Sequence, residues 1–176
     1  MSLFKTLQNS PATISIFHNK KLPASGTLYR ILEKADNKLN ASTQQFQVDL
    51  MTDKMPTFDQ FQFLVNSCTA DEQGRSVLLD AYPFMSEKKS SKDRSKVTVQ
   101  PPVGVQGTNW KTFTEGEYAI VHDAFEHLLA ESKSDNPDHD PSEVFRAPLV
   151  VDWDQCLVAG DVTSLEHLLA KYQGSK

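Results

Sequence analysis

The chain has 176 residues and a formal net charge of −5, which suits one domain with room for an insertion and argues against nucleic acid or an anionic membrane surface as its main partner. Apolar residues make up 39%, low for a compact domain, and no apolar run approaches the roughly 20 residues that span a bilayer. Two cysteines, Cys68 and Cys156, are too few and too far apart for a CxxC motif, a cysteine zinc site or a disulfide framework, and they fit a reducing compartment.

Met1–Gln8 is short, amphipathic and free of acid, and the first acidic residue of the chain is Glu33. That pattern fits a mitochondrial targeting segment and a short docking helix equally well, and no secretory h-region is present. Thr13-Ile14-Ser15-Ile16-Phe17 is β-branched and alternating, and reads as a central first strand. Ser25 then stands where a helix N-cap is expected, ahead of a stripe of Leu28, Ile31, Leu32 and Ala35. Phe46–Met51 alternates with period two and reads as a second strand, so the first three elements form a β-α-β unit with parallel strands.

Thr57 and Gln60 have capping-box spacing and open a helix whose Phe61, Leu64 and Val65 face the core. It runs out near Asn66-Ser67-Cys68. A short helical turn is expected over Val77–Ala81. From Ser86 to about Trp110 the chain is rich in serine, lysine, proline and glycine, and reads as a flexible insertion (about 86–110) in a single domain spanning 1–176. Its basic run, Glu87–Lys96, lacks interleaved aromatics and reads as a solvated loop more readily than as a contact for an acidic partner or RNA.

A third capping box, Thr114 and Glu117, opens a helix with Tyr118, Val121, Phe125, Leu128 and Leu129 at helical spacing. The loop with Asp135, Asp138, His139 and Asp140 carries oxygen ligands but no glycine for a tight cation loop, so no metal is assigned to it. Ala147–Gly160 then gives a proline entry, two apolar runs and a turn at Asp154-Gln155, which reads as a β-hairpin over Leu149–Trp153 and Cys156–Ala159. Thr163 and Glu166 have capping-box spacing at the head of a last helix with Leu165, Leu168, Leu169 and Tyr172 on one face. The expected fold is α/β: a four-stranded mixed sheet, β-α-β then β-β-α, with helices on both faces. A proline-led hairpin followed by an amphipathic helix is how a thioredoxin-like domain ends.

Met1–Gln8, Pro11–Asn19, Pro56–Gln62 and Val151-Asp152-Trp153 resemble the fungal mitochondrial redox proteins of thioredoxin fold. The opening Ile14–Asn19 is more distantly similar to arsenate-reductase-like domains. The resemblance implies a mitochondrial location and a thiol oxidoreductase activity, on a small-molecule or protein thiol; no cofactor is assigned. It also implies a cis bond at Ala147-Pro148, with Pro148 facing the start of the first helix. In the resembled family a redox cysteine is proposed on the helix before Val151-Asp152-Trp153. Here Glu115–Ser132 carries none, and His122 and His127 are its only nitrogen bases.

A dithiol centre of the usual kind needs a thiolate at the start of the first helix, and Lys20–Ser25 contains no cysteine. Cys68 is therefore the catalytic candidate, at a helix C-terminus whose partial negative charge raises a thiol pKa. Cys156 reads as structural packing. His18, Ser25, Arg146 and Pro148 are the binding candidates: a base or anion contact, a helix start with free N–H groups, an oxyanion partner and the groove-lining proline. Cys68 is expected to lie away from the rim of His18, Ser25 and Pro148. The rival to a single-thiol redox protein is a non-catalytic module that binds peptide or protein in the proline-flanked groove.

Overall fold

The computed structural model describes residues 10–85, 113–132 and 140–174. The expected insertion at 86–110, the segment Met1–Gln8 and the acidic residues Asp135 and Asp138 lie outside the described residues.

Four strands form one mixed sheet in the order β2-β1-β3-β4, with β1 Ala12–His18, β2 Phe46–Thr52, β3 Leu149–Asp152 and β4 Leu157–Ala159. β1 pairs parallel with β2, Ala12 opposite Phe46, and antiparallel with β3, Phe17 opposite Leu149. β3 pairs antiparallel with β4, Val151 opposite Val158. Among the described residues five α-helices accompany the sheet, in sequence order α1 Pro23–Leu39, α2 Phe58–Ser67, α3 Glu72–Ala81, α4 Glu115–Ser132 and α5 Val162–Gln173. The succession β-α-β, then helices, then β-β-α is the thioredoxin-like layout.

Neighbouring residues of a strand point to opposite faces, and the core divides accordingly. Ile14, Ile16 and Val150 pack against Leu28 and Leu32 of α1 and Leu165, Leu168 and Leu169 of α5. Phe17, Leu149 and Val151 pack on the other face against Phe61 and Leu64 of α2, Leu78 of α3 and Tyr118, Val121 and Phe125 of α4. β3 is buried along its whole length, as a central strand covered on both faces must be. Each fully buried leucine or phenylalanine contributes about 1.5–3 kcal/mol.

The buried polar groups are bonded. Tyr118 Oη donates to the Pro56 carbonyl, so Tyr82 Oη is the donor in its 3.1 Å bond to Tyr118. Burial pushes both phenols well above the ordinary range. Asp152, fully buried at the end of β3, accepts the backbone N–H of Asp154 and Gln155 through Oδ1 and the Tyr172 hydroxyl through Oδ2.

Several local expectations need correction. Ser25 is not the N-cap of α1. Leu22 holds that place without a side-chain bond, because Pro23 presets the first helical φ and Ser25 Oγ is engaged elsewhere. The capping box of α5 is Asp161–Ser164, not Thr163–Glu166: Asp161 Oδ1 accepts the Ser164 N–H at 2.7 Å, and Ser164 Oγ accepts the Asp161 N–H at 3.1 Å. The expected turn at Val77–Ala81 is a full helix, α3, capped by Asp71, whose Oδ1 accepts the Gly74 N–H at 2.7 Å. The hairpin loop runs over residues 153–156, longer than the Asp154-Gln155 turn, because the Asp152 carboxylate holds the chain and Cys156 takes a left-handed conformation with φ 55°. The boxes at Thr57–Gln60 and Thr114–Glu117 form as expected.

Candidate functional site

α2 ends at Cys68, whose backbone N–H donates to the Leu64 carbonyl as the helix cap. The chain turns at once into α3, and the two helices meet so closely that a Cβ on Gly74 would stand 2.1 Å from the Cys68 carbonyl oxygen. Only glycine fits this crossing. Cys68 is therefore held at the base of the α2–α3 corner with 3% of its surface exposed. Burial raises its thiol, with the nearby Cys156 and Asp152 charges adding to the effect, to about 12.

Cys156 reaches the same place from the other half of the chain. It sits in the β3–β4 loop, partly exposed, and packs against the core cluster that contains Cys68. Both cysteines line one cavity of about 290 Å3 at the β4 edge of the sheet, walled by Asp71, Gln73 and Gly74 of the α3 start and by Ser164 and His167 of α5.

A second cavity, of about 310 Å3, shares Gln73 and Ser164 with the first. It continues along the edge past Val77, Asp80 and Ala81 of α3 to Arg146, Pro148, Gly160 and Asp161. The Ala147-Pro148 peptide is cis. The exposed Arg146 donates its backbone N–H to the Ala81 carbonyl and its Nε to the Ser142 carbonyl at 3.4 Å. The structure thus brings Arg146 to the first turn of α5, away from Ser25. The N-terminus of α5 is already occupied by an anion of the chain itself: bonds from Ser164 hold the Asp161 carboxyl below its usual range.

His18 and Ser25 are joined. His18 Nδ1 and Ser25 Oγ are 2.7 Å apart, and the same oxygen accepts the Asn19 N–H at 3.0 Å. The imidazole lies against the Tyr29 ring with centroids 5.5 Å apart. Ser25 is fully buried, so its hydroxyl ties the β1 end to α1 and is closed to a ligand. Continuing the antiparallel register by one residue places Pro148 opposite His18, yet neither His18 nor Ser25 lines the cavity at Pro148. Cys68 lies outside that cavity too, one cavity further along the edge.

The family model described as a protein of unknown function, DUF1687, matches residues 4–161. The chain belongs to this family. No curated protein and no solved structure matches it. In this DUF1687 member, the sequence reveals Cys68 and Cys156 singly but not that they line one cavity. The signal for that shared cavity was the α3 start, Asp71-Glu72-Gln73-Gly74, a capping aspartate with a glycine three residues on, which folds the chain back over Cys68. Among the described residues no three His, Cys, Asp or Glu side chains converge in a group that could hold a metal ion. No described helix is long and apolar enough to cross a membrane.

Proposed function

We propose that this DUF1687 chain is a thiol redox protein that exchanges sulfur-centred oxidation states with small-molecule or protein thiols at the cavity shared by Cys68 and Cys156. The observation that carries the reading is the convergence of the chain's two cysteines, from separate halves of the sequence, on one solvent-reaching cavity. The division of labour follows from exposure and charge. With its thiol raised to about 12, Cys68 holds about 0.001% thiolate at pH 7. The partly exposed Cys156 therefore reacts first, and Cys68 acts from beneath it. A mitochondrial location rests on the resemblance carried by Met1–Gln8, Pro11–Asn19, Pro56–Gln62 and Val151-Asp152-Trp153. Organelle fractionation tests it, and a purely cytosolic chain removes it.

An aromatic disulfide reagent that releases a coloured thiolate tests the activity. The native chain and Cys68→Ala are expected to show a fast phase that Cys156→Gly lacks. Two thiols that react no faster in the native chain than in the urea-unfolded chain would overturn the reading. That outcome would favour the alternative, a peptide-binding module. This reading is supported by the two cavities sharing Gln73 and Ser164, which together run along the β4 edge as far as Pro148. It predicts that an extended peptide perturbs the amide resonances of Leu157, Val158 and Ala159.

A further inference from the structure

We infer that Cys68 and Cys156 form a two-cysteine switch, in which a hydroperoxide entering their common cavity oxidises Cys156 and Cys68 then closes an intramolecular disulfide. This rests on the thiol reading above and goes beyond it, since a single-thiol protein needs no second sulfur in the cavity.

Four observations carry it. The two residues line the same cavity, and Cys156 packs against the apolar cluster that contains Cys68. Their exposures are unequal: Cys156 is partly exposed in the hairpin loop, and Cys68 is 3% exposed at the α2–α3 corner. That is the arrangement an attacking sulfur and a resolving sulfur require. The backbone at Cys156, with φ 55°, favours glycine, so the local fold does not explain a cysteine there. Finally, Gly74 admits no side chain against the Cys68 carbonyl, which pins the resolving residue where it stands.

The chemistry balances. The Cys156 thiolate attacks one peroxide oxygen: an S–O bond forms, the O–O bond breaks, and the leaving oxygen departs as water or alcohol after taking up a proton. Cys156 is oxidised by two electrons to the sulfenic acid and the peroxide is reduced. The Cys68 sulfur then attacks the Cys156 sulfur. The S–S bond forms, the S–O bond breaks, and hydroxide leaves with the Cys68 proton as water. Two molecules of a low-molecular-weight thiol restore the dithiol by exchange and leave as their own disulfide.

The test uses the full chain, fully reduced and treated with hydrogen peroxide, then with an alkylating agent under denaturing conditions, and read by intact mass and peptide mapping. The expected product is a monomer lighter by two hydrogens, carrying no alkyl group, with the Cys68 and Cys156 peptides joined. Cys68→Ala is expected to lose the bridge entirely and to accumulate a Cys156 sulfenic acid that dimedone traps. Cys156→Gly, which suits the left-handed backbone and should keep the fold, is expected to leave Cys68 free and alkylatable. A native chain in which dimedone labels Cys156 while Cys68 stays free would overturn the switch and leave the thiol reading standing. Two fully alkylated cysteines after peroxide would overturn both. A bridge between two chains, seen as a non-reducing dimer, would also overturn the switch.

Discussion

Burial does most to set the character of Cys68, and its consequence is measurable. A thiol raised to about 12 ionises only in strong alkali, so in Cys156→Gly the alkylation of Cys68 should speed up about tenfold per pH unit from roughly pH 8 to 11. The sign follows from the cause: the folded state favours the neutral thiol, so raising pH above the ordinary thiol pKa works against the fold at this site. A rate that levels off near about pH 9 would show a thiol of ordinary acidity. The neighbouring glycine makes a second residue-scale prediction. A methyl group at position 74 would stand 2.1 Å from the Cys68 carbonyl, and backbone cannot yield as a flexible side chain would. Gly74→Ala should therefore lower stability by about 1–3 kcal/mol, read as a lower urea midpoint. An unchanged midpoint would mean that the α2–α3 corner relaxes freely.

At the scale of elements, the β3–β4 hairpin is held by a buried carboxylate in place of a tight two-residue turn. Asp152 accepts two loop N–H groups and the Tyr172 hydroxyl, which couples the hairpin to α5 on the other side of the strand. Tyr172→Phe should cost about 1–3 kcal/mol, because it leaves the buried carboxylate one partner short. A neutral result would show that the remaining N–H bonds suffice. Cys156 ends the same loop in the left-handed region. Cys156→Gly is expected to stay within about 1 kcal/mol of the native chain, while Cys156→Val should cost about 1–2 kcal/mol. Equal stabilities for the two variants would contradict the backbone account. The elements were largely legible in the sequence where periodicity is strong, as in Phe46–Met51 and in the Leu165, Leu168, Leu169 stripe. Elements governed by one side-chain bond were less legible. The first turn of α1 obeys Pro23 and the His18–Ser25 bond, and α3 depends on Asp71 capping Gly74, neither of which has a period to read.

For the whole molecule, the sheet order places the functional question at one edge. β4 closes the sheet, α3 and α5 flank it from opposite faces, and two cavities lie along it between Cys156 and Pro148. Sequence reasoning placed the sheet and its helices because alternation and 3.6-residue stripes say which faces are buried. It could not place the site, because the residues around the cysteines come from the end of α2, the start of α3, a hairpin loop and α5. Their meeting is fixed by tertiary packing and by one glycine that lets two backbones touch. The most direct test of the central claim is the thiol state of the native protein in living cells, trapped by acid quench and alkylation before and after a hydroperoxide challenge. The account predicts that Cys156 is reduced before the challenge, oxidised during it and reduced again on recovery. Cys68 and Cys156 both remaining free thiols throughout, in cells whose other thiols respond, would contradict it.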